Sequence, residues 1–203
     1  MLIPRQDTEI LVEEVLKELH DGMRVLDMCT GSGCILLSLL HYSNDCEGLG
    51  VDLSAEALEV AGRNVLKVLT PEKAEHAHFL QSDLFEKVEG KFEIIVSNPP
   101  YIASAEVEKL MPEVRDHEPR MALDGTEDGL HFYRRIIEEA GKHLVSSGML
   151  FFEIGYDQGQ AVSELMRTEG YCDVQVVQDY AGLDRVVFGT YVTVQPAPFA
   201  KSR

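Results

Sequence analysis

The stretch Arg24-Val25-Leu26-Asp27-Met28-Cys29-Thr30-Gly31-Ser32-Gly33 decides the fold. Its first half is a short apolar run that reads as a strand. Its second half supplies two glycines that let the backbone turn sharply, and Ile35, Leu36 and Leu39 then follow at helical spacing. A strand passing through a glycine turn into a helix presents unpaired N–H groups at one sheet edge, where α/β folds bind ligands. A dinucleotide fingerprint would place a third glycine at position 36, where Leu36 stands. An acid at the strand end, Asp27, suits a ligand with a positive ammonium or sulfonium group better than a pyrophosphate.

Strand-like and helix-like segments alternate outward from this unit, the signature of a parallel sheet covered on both faces. Upstream, Asp7-Thr8-Glu9 offers capping oxygens to a helix carrying Ile10, Leu11, Val15 and Leu19, which closes at Asp21-Gly22. Downstream, Gly48 to Val51 forms a second strand ending in Asp52. Ser54 caps a helix with Ala57, Leu58, Ala61, Val65 and Leu69 on one face, and a third strand surrounds His78-Phe79-Leu80. Phe92 to Val96 is apolar along most of its length, as a strand buried on both faces should be, and Pro99 and Pro100 forbid its continuation. Residues 102–126, with Pro112 and Pro119, form an irregular stretch placed to cover a site. Asp128 caps a helix bearing Leu130, Tyr133, Ile137, Ala140 and Leu144. A strand at Met149 to Ile154, a helix at Gln160 to Arg167, and an antiparallel hairpin of Val174 to Val177 with Arg185 to Val192 complete the sheet. The expected organisation is an opening motif and helix over residues 1–22, a catalytic domain over 23–195, and a tail over 196–203.

Composition narrows the function. At 203 residues with 45% apolar content, one domain with a substantial core is expected. No apolar run approaches a bilayer span and no basic-then-apolar leader opens the chain, which argues for a cytoplasmic protein with no membrane partner. Cys29, Cys34, Cys46 and Cys172 form no CxxC pair and read as reduced thiols; His76 and His78, with no third ligand nearby, do not read as a metal site. The net charge of −17 disfavours direct binding to a nucleic acid, because affinity for phosphates comes from Lys and Arg releasing counterions. The bland alternative is that the acids are a solubilising surface. A monomer is the expected state.

Three features carry chemistry. Asp52, at the end of the second strand, can accept bonds from both hydroxyls of a ribose, with a helix-capping aspartate as the alternative. Asp83 follows the third strand on the same edge and can take an amino proton of adenine. The most specific feature is Asn98-Pro99-Pro100-Tyr101. A planar NH₂ on an amide or a base is a poor nucleophile because its lone pair is delocalised. Methylating it requires acceptors that hold both N–H bonds and aim the lone pair at the donor. The Asn98 side-chain oxygen and the Pro99 backbone carbonyl are two such acceptors, neither charged nor nucleophilic. The prolines keep the carbonyl aimed, and Tyr101 can stack on the flat group. The alternative is a Pro-Pro strand terminator preceded by a turn asparagine.

These residues resemble the class I methyltransferases and, more narrowly, the release-factor N5-glutamine methyltransferase family. The asparagine motif is shared with DNA adenine methyltransferases, but three further stretches are not: Ile3-Pro4-Arg5-Gln6-Asp7-Thr8-Glu9; Glu118 to Gly125 with Asp128-Gly129-Leu130; and Ala181 to Val187. The resemblance runs from Ile3 to about Gly189. It implies a Rossmann-like class I sheet, mostly parallel with an antiparallel C-terminal hairpin and helices on both faces. It also implies S-adenosylmethionine as cofactor and a glutamine in the Gly-Gly-Gln loop of peptide chain release factors as the methylated group. Asp27, Cys29, Thr30, Gly31, Ser32, Gly33, Asp52, Leu53, Asp83, Leu84 and Asn98 would contact the cofactor, and Asn98, Pro99, Pro100 and Tyr101 the glutamine. Leu84 stands where some relatives carry a larger aromatic. Met28-Cys29 replaces the commoner Leu-Gly, a change expected to matter little. Arg5 and Arg120 are expected to brace loops through carboxylates. Family members usually carry a small N-terminal helical domain that helps grip the release factor, so a chain opening at this motif is expected to be a fragment, the alternative being that it recognises its partner differently. The rival enzyme is a DNA adenine-N6 methyltransferase acting on a flipped base, and the rival class is a silent binding module on the same fold.

Overall fold

The computed structural model describes residues 5–192; Ile3, Pro4 and the expected tail from residue 196 lie outside them. Seven strands form one sheet in the order β3-β2-β1-β4-β5-β7-β6. They are β1 (Arg24–Met28), β2 (Glu47–Asp52), β3 (Ala77–Gln81), β4 (Phe92–Ser97), β5 (Leu144–Glu153), β6 (Tyr171–Gln178) and β7 (Asp184–Tyr191). The pairings from β3 through β5 are parallel, while β7 runs antiparallel between β5 and β6. The fold is thus the mostly parallel Rossmann-like sheet with an antiparallel C-terminal hairpin that the sequence implies.

Helices α1 (Thr8–Glu18), α2 (Cys34–Tyr42) and α3 (Ala55–Val68) cover one face, with a short α4 (Pro71–Ala74) leading into β3. After β4 come two short turns of helix, α5 (Ser104–Val107) and α6 (Pro112–Arg115), then α7 (His131–Ala140) and α8 (Gly159–Thr168) on the other face. Central strands alternate sides, as their two-residue period demands. Val25, Ile94, Val96 and Phe151 pack with Ile10, Leu11, Val15, Leu36 and Leu39, whereas Leu26, Met28, Ile95 and Phe152 pack with Tyr133, Ile136, Ile137, Val162 and Met166. Both sets are almost fully buried, so a Leu26→Ala or Ile95→Ala change would cost about 2–5 kcal/mol. Ile10, Leu11 and Val15 of α1 share this core. Among the described residues no helix is long and apolar enough to cross a membrane.

Two local expectations are revised. Asp7 does not cap α1: its own backbone is helical, it makes no side-chain capping bond, and its carboxylate faces Arg185 at 3.4 Å. Asp128 sits two residues before the cap of α7, Leu130, whose N–H it accepts at 3.1 Å while also pairing with Arg134. These two hydrogen-bonded partners hold the Asp128 carboxyl down at about 2.

Strand order reverses between β1 and β4, and such switch points open a crevice beyond the carboxyl ends of the strands. The Ser97 hydroxyl donates to the Met28 carbonyl at 2.6 Å, pinning the two strand ends together where they diverge.

Candidate active site

A cavity of about 750 Å³ opens at that crevice. Of the residues singled out in the sequence, Cys29, Thr30, Gly31, Ser32, Asp52, Leu53, Asp83, Leu84, Asn98 and Pro100 line it. Asp27, Gly33, Pro99 and Tyr101 are not among its lining residues.

The glycine turn is built by backbone bonds. Thr30 donates to the Val51 carbonyl at 2.9 Å, Gly33 to the Thr30 carbonyl at 2.9 Å, and the Asn64 amide reaches the Ser32 carbonyl at 3.0 Å. Asp52 bridges the turn and the next helix, accepting from Gly31 N–H at 2.9 Å and Ser54 N–H at 2.8 Å. Each of its oxygens keeps a lone pair for a ligand. Ser54 caps α3 as expected, accepting from Ala57.

Asp27, expected to suit a ligand with a positive group, is completely buried, with one oxygen accepting from the Thr30 hydroxyl at 2.6 Å and the Leu36 N–H at 3.3 Å. It therefore ties the turn to the start of α2 from within. Burial pushes its pKa up to about 7, against the opposing pull of those two donors. Its other oxygen has no partner among the described residues. At Cys29 the structure revises the expectation that its difference from glycine matters little. Its φ of 62° is left-handed, a conformation that costs an ordinary residue roughly 1–2 kcal/mol and glycine nothing, so its difference from the commoner glycine carries a conformational cost. Asp83 lines the cavity but gives one oxygen to Arg135 at 3.0 Å, leaving the other for a ligand.

The second half of the site lies around Asn98. No donor among the described residues engages the Pro99 carbonyl, whereas the Tyr101 carbonyl accepts from the Gln158 amide at 2.9 Å. Gln158 is a hub. Its Nε2 also reaches the Gly129 carbonyl at 3.3 Å, and its Oε1 accepts from Gly155 N–H at 2.9 Å and the Tyr133 hydroxyl at 3.4 Å. The chain at Gly125 and Gly129 presses against this corner. A Cβ on Gly125 would lie 2.8 Å from the Tyr101 Cα, and one on Gly129 would collide with the Tyr101 carbonyl oxygen. Only glycine permits that approach. Tyr101 packs half-buried against the core, and burial raises its phenol pKa.

The three stretches outside the asparagine motif converge here. Arg5 pairs with Glu118 at 3.4 Å, and Arg120 with Glu108 at 2.7 Å and Asp124 at 3.0 Å, the bracing roles expected of both arginines. Arg185 joins the closing stretch to the opening one through Asp179 at 3.1 Å and Asp7 at 3.4 Å. Residues 102–126 form a wall of the cavity with Ser104, Pro119, Met121, Asp124 and Thr126, tied down by the Ile102–Asp124 bridge.

Gln158 and the buried Glu153 at the end of β5 escaped the sequence reading. The signal available was a carboxylate closing an otherwise apolar strand, followed by Gly155 and an amide three residues on. His76 and His78 both face the exposed Glu47.

Charge around the cavity is acidic. Asp52, Glu56, Asp83 and Asp124 line it, and among the described residues its single basic lining residue, Arg120, is already engaged by two carboxylates. Among the described residues a pyrophosphate would find no free cation in the lining, whereas a nucleoside with a sulfonium and an ammonium group fits the donors, the acids and the apolar wall of Met28, Val51, Leu84 and Phe132.

Residues 6–114 match the model of the methyltransferase small domain family. The release factor glutamine methyltransferase of Thermodesulfovibrio yellowstonii is 44% identical over 192 residues, covering 92% of this chain and 67% of that protein. That of Clostridium acetobutylicum is 46% identical over 191 residues, covering 92% and 66%. The chain thus spans about two thirds of the length of these curated relatives. Among solved structures, the release factor-specific protein-(glutamine-N5) methyltransferase of Alicyclobacillus acidocaldarius superposes with a TM-score of 0.55 at 30% identity, covering 94% of this chain and 95% of that one. With 44% identity to a relative of which it covers 67%, and 30% identity to a solved structure of which it covers 95%, the chain belongs to the release factor glutamine methyltransferase family.

Proposed function

We propose that the chain transfers the methyl group of S-adenosylmethionine to the side-chain amide nitrogen of the glutamine in the Gly-Gly-Gln loop of peptide chain release factors. The observation that carries this reading is a neutral acceptor, Asn98, lining the same cavity as Asp52 and the glycine turn, with the Pro99 carbonyl next to it in the chain and unclaimed by any donor among the described residues. Asp52 would take the ribose hydroxyls, and the free oxygen of Asp83 the adenine amino group. The backbone from Cys29 to Gly33, with Leu53 and Leu84, would complete the nucleoside site.

The cofactor supplies an electrophilic methyl group on a sulfonium; this chain supplies orientation. Asn98 Oδ1 and the Pro99 carbonyl would each accept one N–H of the glutamine amide, so that the nitrogen lone pair points at the donor. Tyr101 would stack on the amide plane, and Pro100 would keep the corner rigid. Acceptors held in place before the substrate arrives would need no reorganisation as positive charge develops on the nitrogen. That nitrogen becomes acidic only as the new bond forms, so no strong base has to act first.

A DNA adenine substrate would use the same two acceptors, but an acidic cavity and a net charge of −17 oppose a phosphate backbone. A methyl-transfer assay offering purified release factor and unmethylated DNA in competition separates the two. Label on the release factor supports the proposal, and label on the DNA alone overturns it. Action as a cytoplasmic monomer is part of the same proposal, and four thiols without a disulfide fit it.

A further inference from the structure

The asparagine at the centre of this site has two chemically opposite ends. Oδ1 accepts and Nδ2 donates, and half a turn about the terminal bond exchanges them without changing shape. Holding a substrate NH₂ requires Oδ1 toward the cavity, so the reverse orientation must be made costly.

Glu153 stands where it can do this. The parallel pairing of Ser97 with Phe152 brings the next residues of β4 and β5, Asn98 and Glu153, side by side at the carboxyl edge of the sheet. Glu153 is 1% exposed, and its Oε2 has no hydrogen-bond partner among the described residues. The groups around it come from every neighbouring element: Asp7 and Thr8 at the start of α1, Cys34 of α2, Tyr101, Tyr133 of α7 and Arg185 of β7. Most are committed elsewhere. Arg185 spans Asp179 and Asp7, and the Tyr133 hydroxyl donates to the Glu153 backbone carbonyl at 2.9 Å rather than to its carboxylate. The Thr8 hydroxyl and the Asn98 amide remain as the neutral groups beside the carboxylate that favour its charged form. Burial works against them and raises the Glu153 pKa. A carboxylate buried with an unmet oxygen is costly to keep, and nothing in the packing of β5 requires one.

We infer that Glu153 is a positioning residue whose carboxylate accepts from Asn98 Nδ2 and so turns Asn98 Oδ1 toward the substrate amide. The inference rests on the glutamine-holding role proposed above. An ionised carboxylate only accepts, so it is satisfied by one orientation of Asn98; a protonated acid or a glutamine pairs with either. Activity should therefore fall as pH drops through a carboxyl pKa above the usual glutamate range.

The test starts on the wild-type protein without substrate or cofactor, by following the ¹⁵N-labelled side-chain amide of Asn98 by NMR against pH. The expected result is a slowly exchanging amide whose shift titrates with a raised carboxyl pKa, a titration that Glu153→Gln removes. An Asn98 amide that ignores pH across that range would overturn the inference, even if the variant does not fold. In kinetics, Glu153→Gln should lower kcat about 10- to 100-fold and abolish the acid limb of the pH profile. Glu153→Asp should restore part of the rate, and calorimetric affinity for S-adenosylmethionine should stay close to wild type. A folded Glu153→Gln protein with wild-type kcat would equally overturn it. If the titration is present but no release factor is methylated, the proposed function fails and the Asn98–Glu153 pairing stands.

Discussion

The two ends of the cavity are built in contrasting ways. At the Asp52 end, every determinant lies on a strand end or in the turn just after it; bonds from Gly31 to Asp52 and from Thr30 to Val51 join neighbours in the sheet, and Asn64 and Arg135 on the covering helices add one contact each. At the Asn98 end, four residues in a row are held by segments from across the chain: Gln158 on the Tyr101 carbonyl, glycines 125 and 129 against the same corner, and Arg185 linking Asp7 to Asp179. The first end is general equipment of the fold, shaped by the backbone. The second is specific, and it works only if distant pieces arrive together. Damage to the two ends should therefore separate binding of the nucleoside from turnover of the glutamine.

The largest expected effect is at Asn98. Replacing it with alanine removes one of two acceptors, and transfer should fall by about 10²–10³-fold or more. Calorimetric affinity for S-adenosylmethionine should survive in large part, and near-normal turnover would contradict the account. Asp52→Ala should do the reverse. Losing a charged acceptor for the ribose hydroxyls should cost about 1.5–3 kcal/mol of cofactor binding, read as a raised Kd or KM for the donor. A variant that binds the donor normally would remove Asp52 from that role.

Gln158→Ala sharpens the contrast, because it touches neither ligand. It strips the Tyr101 carbonyl and Gly155 N–H of their partner and should cost about 1–3 kcal/mol in denaturant unfolding. It should also lower kcat more than donor affinity. Equal damage to both would mean that the two ends are not separable.

The smallest effect lies at Asp27. Its folded pKa is raised from an ordinary 3.8 to about 7, so between those values the native state holds a proton that the unfolded chain has lost. That contribution to stability is present below about pH 4 and declines as pH rises toward 7. Asp27→Asn removes the dependence, so its Tm relative to wild type should be higher at pH 8 than at pH 5. A Tm difference that stays flat with pH would show that the Asp27 carboxyl is not perturbed.

This same contrast explains what the sequence made legible. Strand and helix order followed from apolar periodicity, because central strands buried on both faces, such as β4, leave few other readings. The asparagine corner was legible because two prolines after an apolar strand are hard to explain structurally. What stayed hidden depended on side-chain direction. Nothing in Asp27 itself tells that its carboxylate is completely buried and bonded to Thr30 and Leu36. The left-handed backbone at Cys29 was masked because the residue there is not a glycine. Glu153 and Gln158 read as a strand end and a loop amide until the sheet register and the α7 face place them beside Asn98 and Tyr101.

The central claim is that a flat amide NH₂ is held between Asn98 and Pro99 for methylation. Its most direct test is peptide-mapping mass spectrometry of a release factor incubated with this protein and S-adenosylmethionine. The account predicts a mass gain of one CH₂ on the peptide carrying the Gly-Gly-Gln loop, localised to the glutamine side chain and absent with Asn98→Ala. A release factor left unmodified by the active, cofactor-binding protein, or modified at any other residue, would contradict it.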